Sequence, residues 1–304
     1  MPMRQTLEVM DLLDDPAASG ARVAAYLRAA GIDDVTVTTV AGASGESTDF
    51  VRARLPGCDP AVPALGIIGC LGGIGARPAR LGLVSDADGA IAALAAAAKL
   101  GEMARRGDRV PGDVIVTTHV CPRAPVIPHD PVPFMGSPVA MAVANAHLVD
   151  PAMAAILSID TSRGNRLLNR RGVAITPTVC QGYILRVSED LLDLLQWTSG
   201  NLPLVLPITT QDVTPYGNGV HHFNSILQPS TATPAPVVGV AITAEAAVPG
   251  AASGASQPAD IELAARFAVE VAKAYGNGRA AFHDPAEFQR LVELYGPLTR
   301  IQGR

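Results

Sequence analysis

The sequence predicts an α/β fold, a three-layer sandwich with a mostly parallel central sheet that helices cover on both faces. The short continuous apolar run 64–70 is typical of a strand buried on both faces, and 113–119, 154–160 and 236–243 are predicted as further strands of the same sheet. Helical patterns separate most of these runs, as in proteins built on parallel sheets. The chain has 304 residues, 48% hydrophobic and 17% charged, which is enough to bury a large core.

The first part of the chain is predicted as two helices and two strands. The helices cover 3–13 and 19–31, and Gly31 is a plausible end for the second because glycine favours helix termini. Residues 34–40 (DVTVTTV) and 48–57 (TDFVRARLPG) alternate between apolar and polar residues, which is typical of strands with one buried face.

The central part carries three of the buried strands. ALGIIGC (64–70) runs into a glycine-rich loop, and a helix follows over about 89–106, opened by acidic residues and closed by arginines, as the helix dipole favours. DVIVTTH (113–119) is the next strand. A proline-rich loop and a helix over about 137–148 lead to AAILSID (154–160).

The last part begins with β-like segments and a helix from Ser188, a good N-cap, to about Thr198. The remaining predicted elements are a polar loop, a strand, a small-residue loop and two helices, over 216–224, 236–243, 246–257, 259–275 and 284–295. We expect one domain over 1–304. The alternative is the same domain with a small inserted subdomain at about 161–230.

Composition narrows the function classes. A net charge of −5 provides no electrostatic footprint for nucleic acid. No apolar stretch approaches the length of a membrane span, and the N-terminus has acidic residues where a signal peptide would be apolar. The four cysteines are scattered and are expected to be reduced thiols. We therefore expect a cytoplasmic protein without membrane or nucleic-acid partners.

Several common catalytic motifs do not occur in the sequence. The glycine-rich loop GCLGGIGARP lacks G-x-G-x-x-G spacing, and the chain has neither a P-loop nor a G-x-S-x-G nucleophile elbow. Cys70 and Cys121 follow buried strands, and each could be a nucleophile or a buried structural thiol.

Acidic and imidazole side chains follow the central strands. Parallel strands bring their carboxyl ends to one rim, where ligands of such sheets bind. Asp86, His119 and Asp160 are expected at this rim, and divalent cations bind carboxylate and imidazole ligands from separate elements. Each residue also has a structural alternative: a helix N-cap for Asp86, a hydrogen-bonded histidine at a strand end for His119, and a turn cap for Asp160.

Two further polar segments could contact a substrate. In the segment 216–224 (YGNGVHHFN), Tyr216 and Asn218 could position a ligand, although a well-bonded turn explains the pattern equally. In the segment 160–166 (DTSRGNR), Arg163 could bind a substrate carboxylate and Asn165 could assist it. The alternative for the arginine is a surface salt bridge.

The order of these elements resembles the zinc-dependent amino- and carboxypeptidases. ALGIIGC resembles the strand that carries their first metal-binding histidine, and LVSDADGAIAALAAAAKL resembles their aspartate–glycine loop. The resemblance implies that Asp86 bridges metals and that Asp160 is a ligand. The chain departs from the pattern at Cys70, which replaces the first histidine, and near Thr118 and His119, which replace a glutamate pair.

Nearly the whole chain also resembles a family of uncharacterised bacterial proteins, domain of unknown function 1177. The blocks that carry this resemblance include GDVIVTTHVCPRAPVIPHDPVPFMGSPV, SIDTSRGNRLLNRRGVAITPTV and QDVTPYGNGVHHFNSILQP. This resemblance implies no reaction.

The sequence thus predicts a metal-dependent hydrolase of a small amide or peptide-like substrate. The cofactor would be zinc, or manganese, held by Asp86, His119 and Asp160, where it would polarise a carbonyl and activate water. His222 or Glu245 would be the general base or a further ligand. The rival hypothesis is a non-catalytic protein that binds peptides or amino-acid derivatives on a degenerate peptidase scaffold, and a structural subunit is a third. A homo-oligomer is expected from base rates.

Overall fold

A computed structural model of the protein describes residues 1–43, 45–251 and 255–303. Its helices are α1 (Met3–Asp14), α2 (Gly20–Ala29), α3 (Asp88–Arg105), α4 (Met141–Leu148), α5 (Glu189–Ser199), α6 (Pro258–Gly276) and α7 (Pro285–Tyr295). Its strands are β1 (Asp34–Ala41), β2 (Ser47–Leu55), β3 (Ala64–Gly69), β4 (Val114–Val120), β5 (Val126–Ile127), β6 (Phe134–Met135), β7 (Met153–Ser162), β8 (Gly172–Ile175), β9 (Val179–Cys180), β10 (Tyr183–Ile184), β11 (Leu204–Val205) and β12 (Val237–Thr243).

The main sheet is mixed, with a parallel centre. Its strand order is β1-β2-β4-β3-β7-β12-β8-β11, with β9 and β10 attached beside β12. The four central strands β4, β3, β7 and β12 are parallel. Strands β1 and β2 pair antiparallel with their neighbours, and β8 pairs antiparallel with β12 but parallel with β11. The α/β class is confirmed, and the prediction of a parallel sheet holds at its centre.

The two faces of the sheet are covered unequally. The larger apolar cluster joins the sheet to α1, α2, α3, α5 and α6. A second cluster holds α4 and irregular segments that contribute Leu206, Val213, Ile226 and Leu227. The predicted helical layer is therefore present on the first face, whereas on the second face α4 shares the covering role with polar, proline-containing chain.

Helix α3 approaches the sheet closely because small residues line the contact. A Cβ on Gly89 would lie 2.0 Å from the carbonyl oxygen of Cys70 and 2.3 Å from that of Ile159. The alanines of α3 are almost completely buried against the strands. This packing fixes the start of α3, and with it Asp86, beside the ends of β3 and β7.

Most predicted elements occur within a few residues of their expected bounds. Helix α4 begins at Met141 rather than at 137, because Pro138 lies in the segment before it. The proline-rich loop contains the β5–β6 hairpin, which the sequence did not predict. Of the small-residue loop at 246–257, residues 252–254 lie outside the described part of the chain.

Residues 161–230, which the alternative prediction makes a small inserted subdomain, also contribute to the main sheet. They supply β8 and β11 to the sheet, and Leu191 and Leu195 of α5 lie in the larger apolar cluster. Within the described ranges, no helix has the length and apolarity that a membrane crossing requires.

Candidate functional site

Two buried aspartates meet at the carboxyl rim of the parallel strands. Asp160 lies near the end of β7 and is 2% exposed, and Asp86 lies in the turn just before α3 and is 8% exposed. Burial raises the pKa of Asp86 and the negative charge of Asp160 raises it further, so the two carboxyl groups lie within electrostatic reach of each other. We refer to Asp86 and Asp160 as the carboxyl pair.

Asp160 is held by hydrogen bonds that favour its ionised form. Its Oδ1 accepts from the backbone N–H of Thr161 at 2.8 Å, and its Oδ2 accepts from the hydroxyl of Ser225 at 2.8 Å. Burial raises the pKa of Asp160 to about 6, and these two hydrogen bonds and the charge of Arg163 oppose that rise. Asp160 is therefore mostly a carboxylate at neutral pH.

Asp86 has the opposite environment. Its Oδ2 atom is buried and has no hydrogen-bond partner among the described residues. Burial raises its pKa well above the usual range, Asp160 and Asp88 raise it further, and Arg163 opposes the rise. Asp86 is therefore the proton-carrying member of the pair.

Arg163 provides the positive charge that faces the pair. It follows β7, is half-buried, and interacts electrostatically with both carboxyl groups. No hydrogen bond joins its guanidinium to another described side chain, so its N–H groups are available to a bound molecule. Such a group can stabilise negative charge on an oxygen atom.

The segment 246–251, here called the strap, ties Arg163 to Asp86. At one end of the strap, the carbonyl of Ala246 accepts from the backbone N–H of Gly164. At the other, the carbonyls of Pro249 and Gly250 accept from the Ser85 hydroxyl at 3.2 Å and from the backbone N–H of Asp86 at 3.3 Å. A Cβ on Gly250 would lie 2.6 Å from Nη2 of Arg163 and 3.4 Å from Oδ1 of Asp86. The strap therefore leaves room for the guanidinium.

Of the residues predicted in the polar loop, Tyr216 lies at the site. Burial and the charges of Asp160 and Asp212 raise the pKa of its phenol, and a hydrogen bond with Ser225 opposes that rise. Ser225 therefore contacts both Tyr216 and Asp160. Tyr216 is 36% exposed and can contact a ligand above the pair.

Among the described residues, no hydrogen bond joins the other predicted substrate-binding and catalytic residues to the pair. Asn165 uses its side-chain oxygen for the backbone N–H groups of Leu167 and Leu168. Asn218 donates to Thr214. His222 bonds to Thr214 and packs on Tyr216 with ring centroids 4.5 Å apart. Glu245 is exposed.

His119 is a hydrogen-bonded histidine at a strand end, which is the structural alternative to a metal ligand. Its Nε2 accepts from the backbone N–H of Gly72 at 2.9 Å, so the proton of the neutral ring is on Nδ1, which lies 2.8 Å from the Thr48 hydroxyl. Burial lowers its pKa to about 4. Both nitrogens are thus occupied, and the structure does not bring His119 into the predicted ligand group.

The predicted divalent-metal centre does not fit this arrangement. Among the described residues, no three or more His, Cys, Asp and Glu side chains are grouped so that they could hold an ion. Cys70 is beside the pair, but burial raises its pKa to about 12, which keeps it a neutral thiol rather than a thiolate ligand or nucleophile. The site offers two carboxyl groups and a guanidinium.

Two residues that the sequence analysis did not single out complete the site. Ser225 lies one position beyond the polar segment 216–224 and positions Asp160. Asp212 is fully buried and closes a capping box with Thr209. The T-x-x-D spacing of Thr209 and Asp212 is a known helix-start signal and could have revealed this role.

A family model described as "Protein of unknown function (DUF1177)" matches residues 38–304. No curated protein shows significant similarity to the chain.

The fold is similar to that of solved enzymes. The structure of "Bottromycin maturation enzyme BotP" has 18% sequence identity and a TM-score of 0.56, with 90% of this chain and 70% of that chain covered. A second structure, "Bottromycin maturation enzyme BotP in complex with Mn", has 18% identity and a TM-score of 0.53 over the same shares. At this identity the likeness shows the fold.

Proposed function

The chain belongs to the family described as "Protein of unknown function (DUF1177)", and we propose that it is a hydrolase of a small amide or peptide-like substrate whose reacting centre is the carboxyl pair. The observation that carries the proposal is the contrast within the pair: Asp160 is hydrogen-bonded as a carboxylate, whereas Asp86 is buried with an unpartnered oxygen. Two carboxyl groups with separated pKa values provide a general base and a general acid. The similarity of the fold to a maturation enzyme supports a catalytic role.

The residues have distinct roles in the proposed reaction. The Asp160 carboxylate takes a proton from a water molecule as the water oxygen bonds to the substrate carbonyl carbon. The N–H groups of Arg163 stabilise the negative charge that develops on the carbonyl oxygen. Asp86 donates its proton to the amide nitrogen as the C–N bond breaks, and proton transfer from Asp160 back to Asp86 restores the pair. Tyr216 would contact the substrate beside Asp160.

Access to the pair is controlled by its covering segments. Both carboxyl groups are buried, with the strap beside Asp86 and Ser225 and Tyr216 beside Asp160. A substrate therefore reaches the pair only after the strap or the Tyr216 loop has moved. His222, which packs on Tyr216, would act through the position of that ring and not as a base.

The proposal is tested by incubating the protein with dipeptides, N-acylated amino acids and amino-acid amides, and following product formation by mass spectrometry. We expect turnover that falls at least about 100-fold in Asp160→Asn, since general-base catalysis contributes about that much or more. Asp86→Asn should lose activity similarly. Asp193→Asn, an exposed aspartate on α5, is the matched control and should retain full activity.

The pH dependence of kcat/KM is a second readout of the same proposal. Activity should rise with a midpoint near the Asp160 pKa of about 6, as that group becomes a carboxylate. It should fall at higher pH as Asp86 loses its proton. A profile without an acid limb in this range would remove Asp160 as the base.

The rival proposal is a binding protein on the same scaffold. The buried, covered pair favours it, because a closed site is also suited to retaining a ligand. Thermal stabilisation by one of the same compounds, without any product, would establish the binder and end the hydrolase proposal.

The expected cofactor is tested on the same preparation. The metal-dependent form of the hydrolase, with zinc or manganese, is supported by the similarity of the fold to BotP in complex with Mn. The ligand geometry of this chain leads us to expect substoichiometric metal by mass spectrometry. One zinc or manganese per chain, lost in Asp86→Asn, would restore the metal centre. Gel filtration tests the proposed homo-oligomer.

A further inference from the structure

We propose that the guanidinium of Arg163 takes the place of a divalent cation at the carboxyl pair. This inference deepens the proposed function by naming the residue that supplies positive charge to its reacting centre. The chain shares its fold with BotP, which has been solved in complex with Mn, yet its own rim combines two carboxyl groups with an arginine.

Backbone segments that are joined by hydrogen bonds surround the guanidinium. Arg163 directly follows β7, the strand that carries Asp160, and the strap connects the next residue, Gly164, to the turn that carries Asp86. Nη2 of Arg163 and Oδ1 of Asp86 flank the same point above Gly250, where a Cβ would lie 2.6 Å from Nη2 and 3.4 Å from Oδ1. A larger residue at this position would displace the guanidinium from where it lies.

The remaining donors around the pair do not complete a metal site. The nitrogens of His119 are bonded to Gly72 and Thr48. Asp160 uses both oxygens for Thr161 and Ser225. A divalent ion would thus depend on the remaining lone pairs of the two carboxyl groups, and it would be repelled by the nearby guanidinium.

The difference between a guanidinium and a metal ion determines what the site can bind. A guanidinium is planar and carries several N–H donors. It binds carboxylate or carbonyl oxygens through hydrogen bonds and, unlike a metal ion, does not act as a Lewis acid. The ligand that fits is therefore an acceptor-rich group, such as the carbonyl or carboxylate of a peptide, placed between Arg163 and the carboxyl pair.

Manganese binding tests the inference without any activity measurement. Free Mn²⁺ is quantified by electron paramagnetic resonance as protein is added. We expect no specific binding to the wild-type protein and one bound ion per chain in Arg163→Met, because that change removes the competing charge and keeps an unbranched chain. Binding should disappear again in the double variant Arg163→Met, Asp160→Asn. Arg166→Met, an exposed arginine on the same loop, should behave as the wild type.

Arg163→Lys keeps the positive charge and is the control for effects of changing this residue that are unrelated to charge. It should retain the wild-type circular dichroism spectrum and should not bind Mn²⁺. The inference is overturned by stoichiometric Mn²⁺ on the wild type that is lost in Asp86→Asn, or by folded Arg163→Met that binds none. Either result leaves the hydrolase proposal standing, whereas absence of turnover with the expected Mn²⁺ results would remove the hydrolase alone.

Discussion

Asp86 and Asp160 carry the same side chain in two environments that favour different protonation states. Asp160 receives two hydrogen bonds suited to a carboxylate, while Asp86 is buried with an oxygen that has no hydrogen-bond partner among the described residues. Desolvation favours the neutral acid and donated hydrogen bonds favour the ion. The chemistry that we propose follows from this difference.

Only some of the residues at the site could be predicted from the sequence. Strand ends predict Asp86 and Asp160 at the rim, and the polar segments predict Arg163 and Tyr216 only as possible substrate contacts. His119 was grouped with them, but its ring turns towards Gly72 and Thr48. The direction of a side chain at a strand end depends on tertiary packing, which strand periodicity alone does not determine.

Asp88 provides a stability prediction at the same scale. It is 3% exposed, accepts a hydrogen bond from Ser256, and burial raises its pKa to about 8. Because the folded state holds this proton more tightly than the unfolded state, its contribution to stability is full below about pH 4 and is lost as pH rises towards 8. Asp88→Asn cannot ionise and should be more stable than the wild type at pH 8 but not at pH 4.

The measurement is the free energy of unfolding in urea between pH 4 and 8. The slope of the free energy of unfolding against pH should be less negative in Asp88→Asn than in the wild type, by up to about 1.4 kcal/mol per pH unit. Asp193→Asn should leave it unchanged. An Asp88→Asn protein with the wild-type pH dependence would show that Asp88 is ionised when folded.

At the scale of elements, the loop between Asp212 and Ser225 positions two site residues. The carboxylate of Asp212 accepts from the backbone N–H groups of Thr209, Phe223 and Asn224 at 2.9, 2.7 and 2.9 Å. It thereby joins the two ends of the loop that carries Tyr216 and delivers Ser225 to Asp160. Asp212 is a positioning residue, since it has no contact with the pair.

Asp212→Ala should leave buried N–H groups without acceptors. We expect a loss of about 3 kcal/mol in the free energy of unfolding, because hydrogen bonds to a charged group contribute about 1.5–3 kcal/mol each and part of the loss is recovered by water. The acid limb of the pH profile should also move, as Ser225 no longer holds Asp160. The matched change Asp193→Ala should do neither. An unchanged stability would mean that the loop holds its shape without Asp212.

Elements were easier to predict than the connections between them. Alanine-rich α3 and the apolar strands are recognisable by their continuous apolar sequence, and their observed bounds differ little from the predicted ones. The strap and the β5–β6 hairpin were not predicted, because their positions depend on contacts with distant segments such as Ser85, Gly164 and Cys121.

At the scale of the whole molecule, parallel strands collect residues that are far apart in sequence. Asp86 and Asp160 reach one rim because β3 and β7 are neighbours with the same direction and α3 packs beside both. The topology of the centre follows from general rules for buried strands. The antiparallel pairings at the edges could not be predicted in this way, because they depend on loop geometry that the sequence pattern does not determine.

The region 161–230 is expected to unfold together with the rest of the chain. It shares the sheet through β8 and the larger apolar cluster through α5. Differential scanning calorimetry should give one transition with equal calorimetric and van't Hoff enthalpies. Two transitions, the smaller one removed by limited proteolysis within 161–230, would identify a separate subdomain.

The central claim is that Asp160 is ionised while Asp86 is protonated. Carbon-13 NMR of protein labelled at the aspartate carboxyl carbons tests this claim most directly. One buried signal, lost in Asp160→Asn, should titrate near pH 6. A second, lost in Asp86→Asn, should keep the shift of a protonated acid through neutral pH. The account is contradicted if both signals titrate near pH 4, as solvated aspartates do.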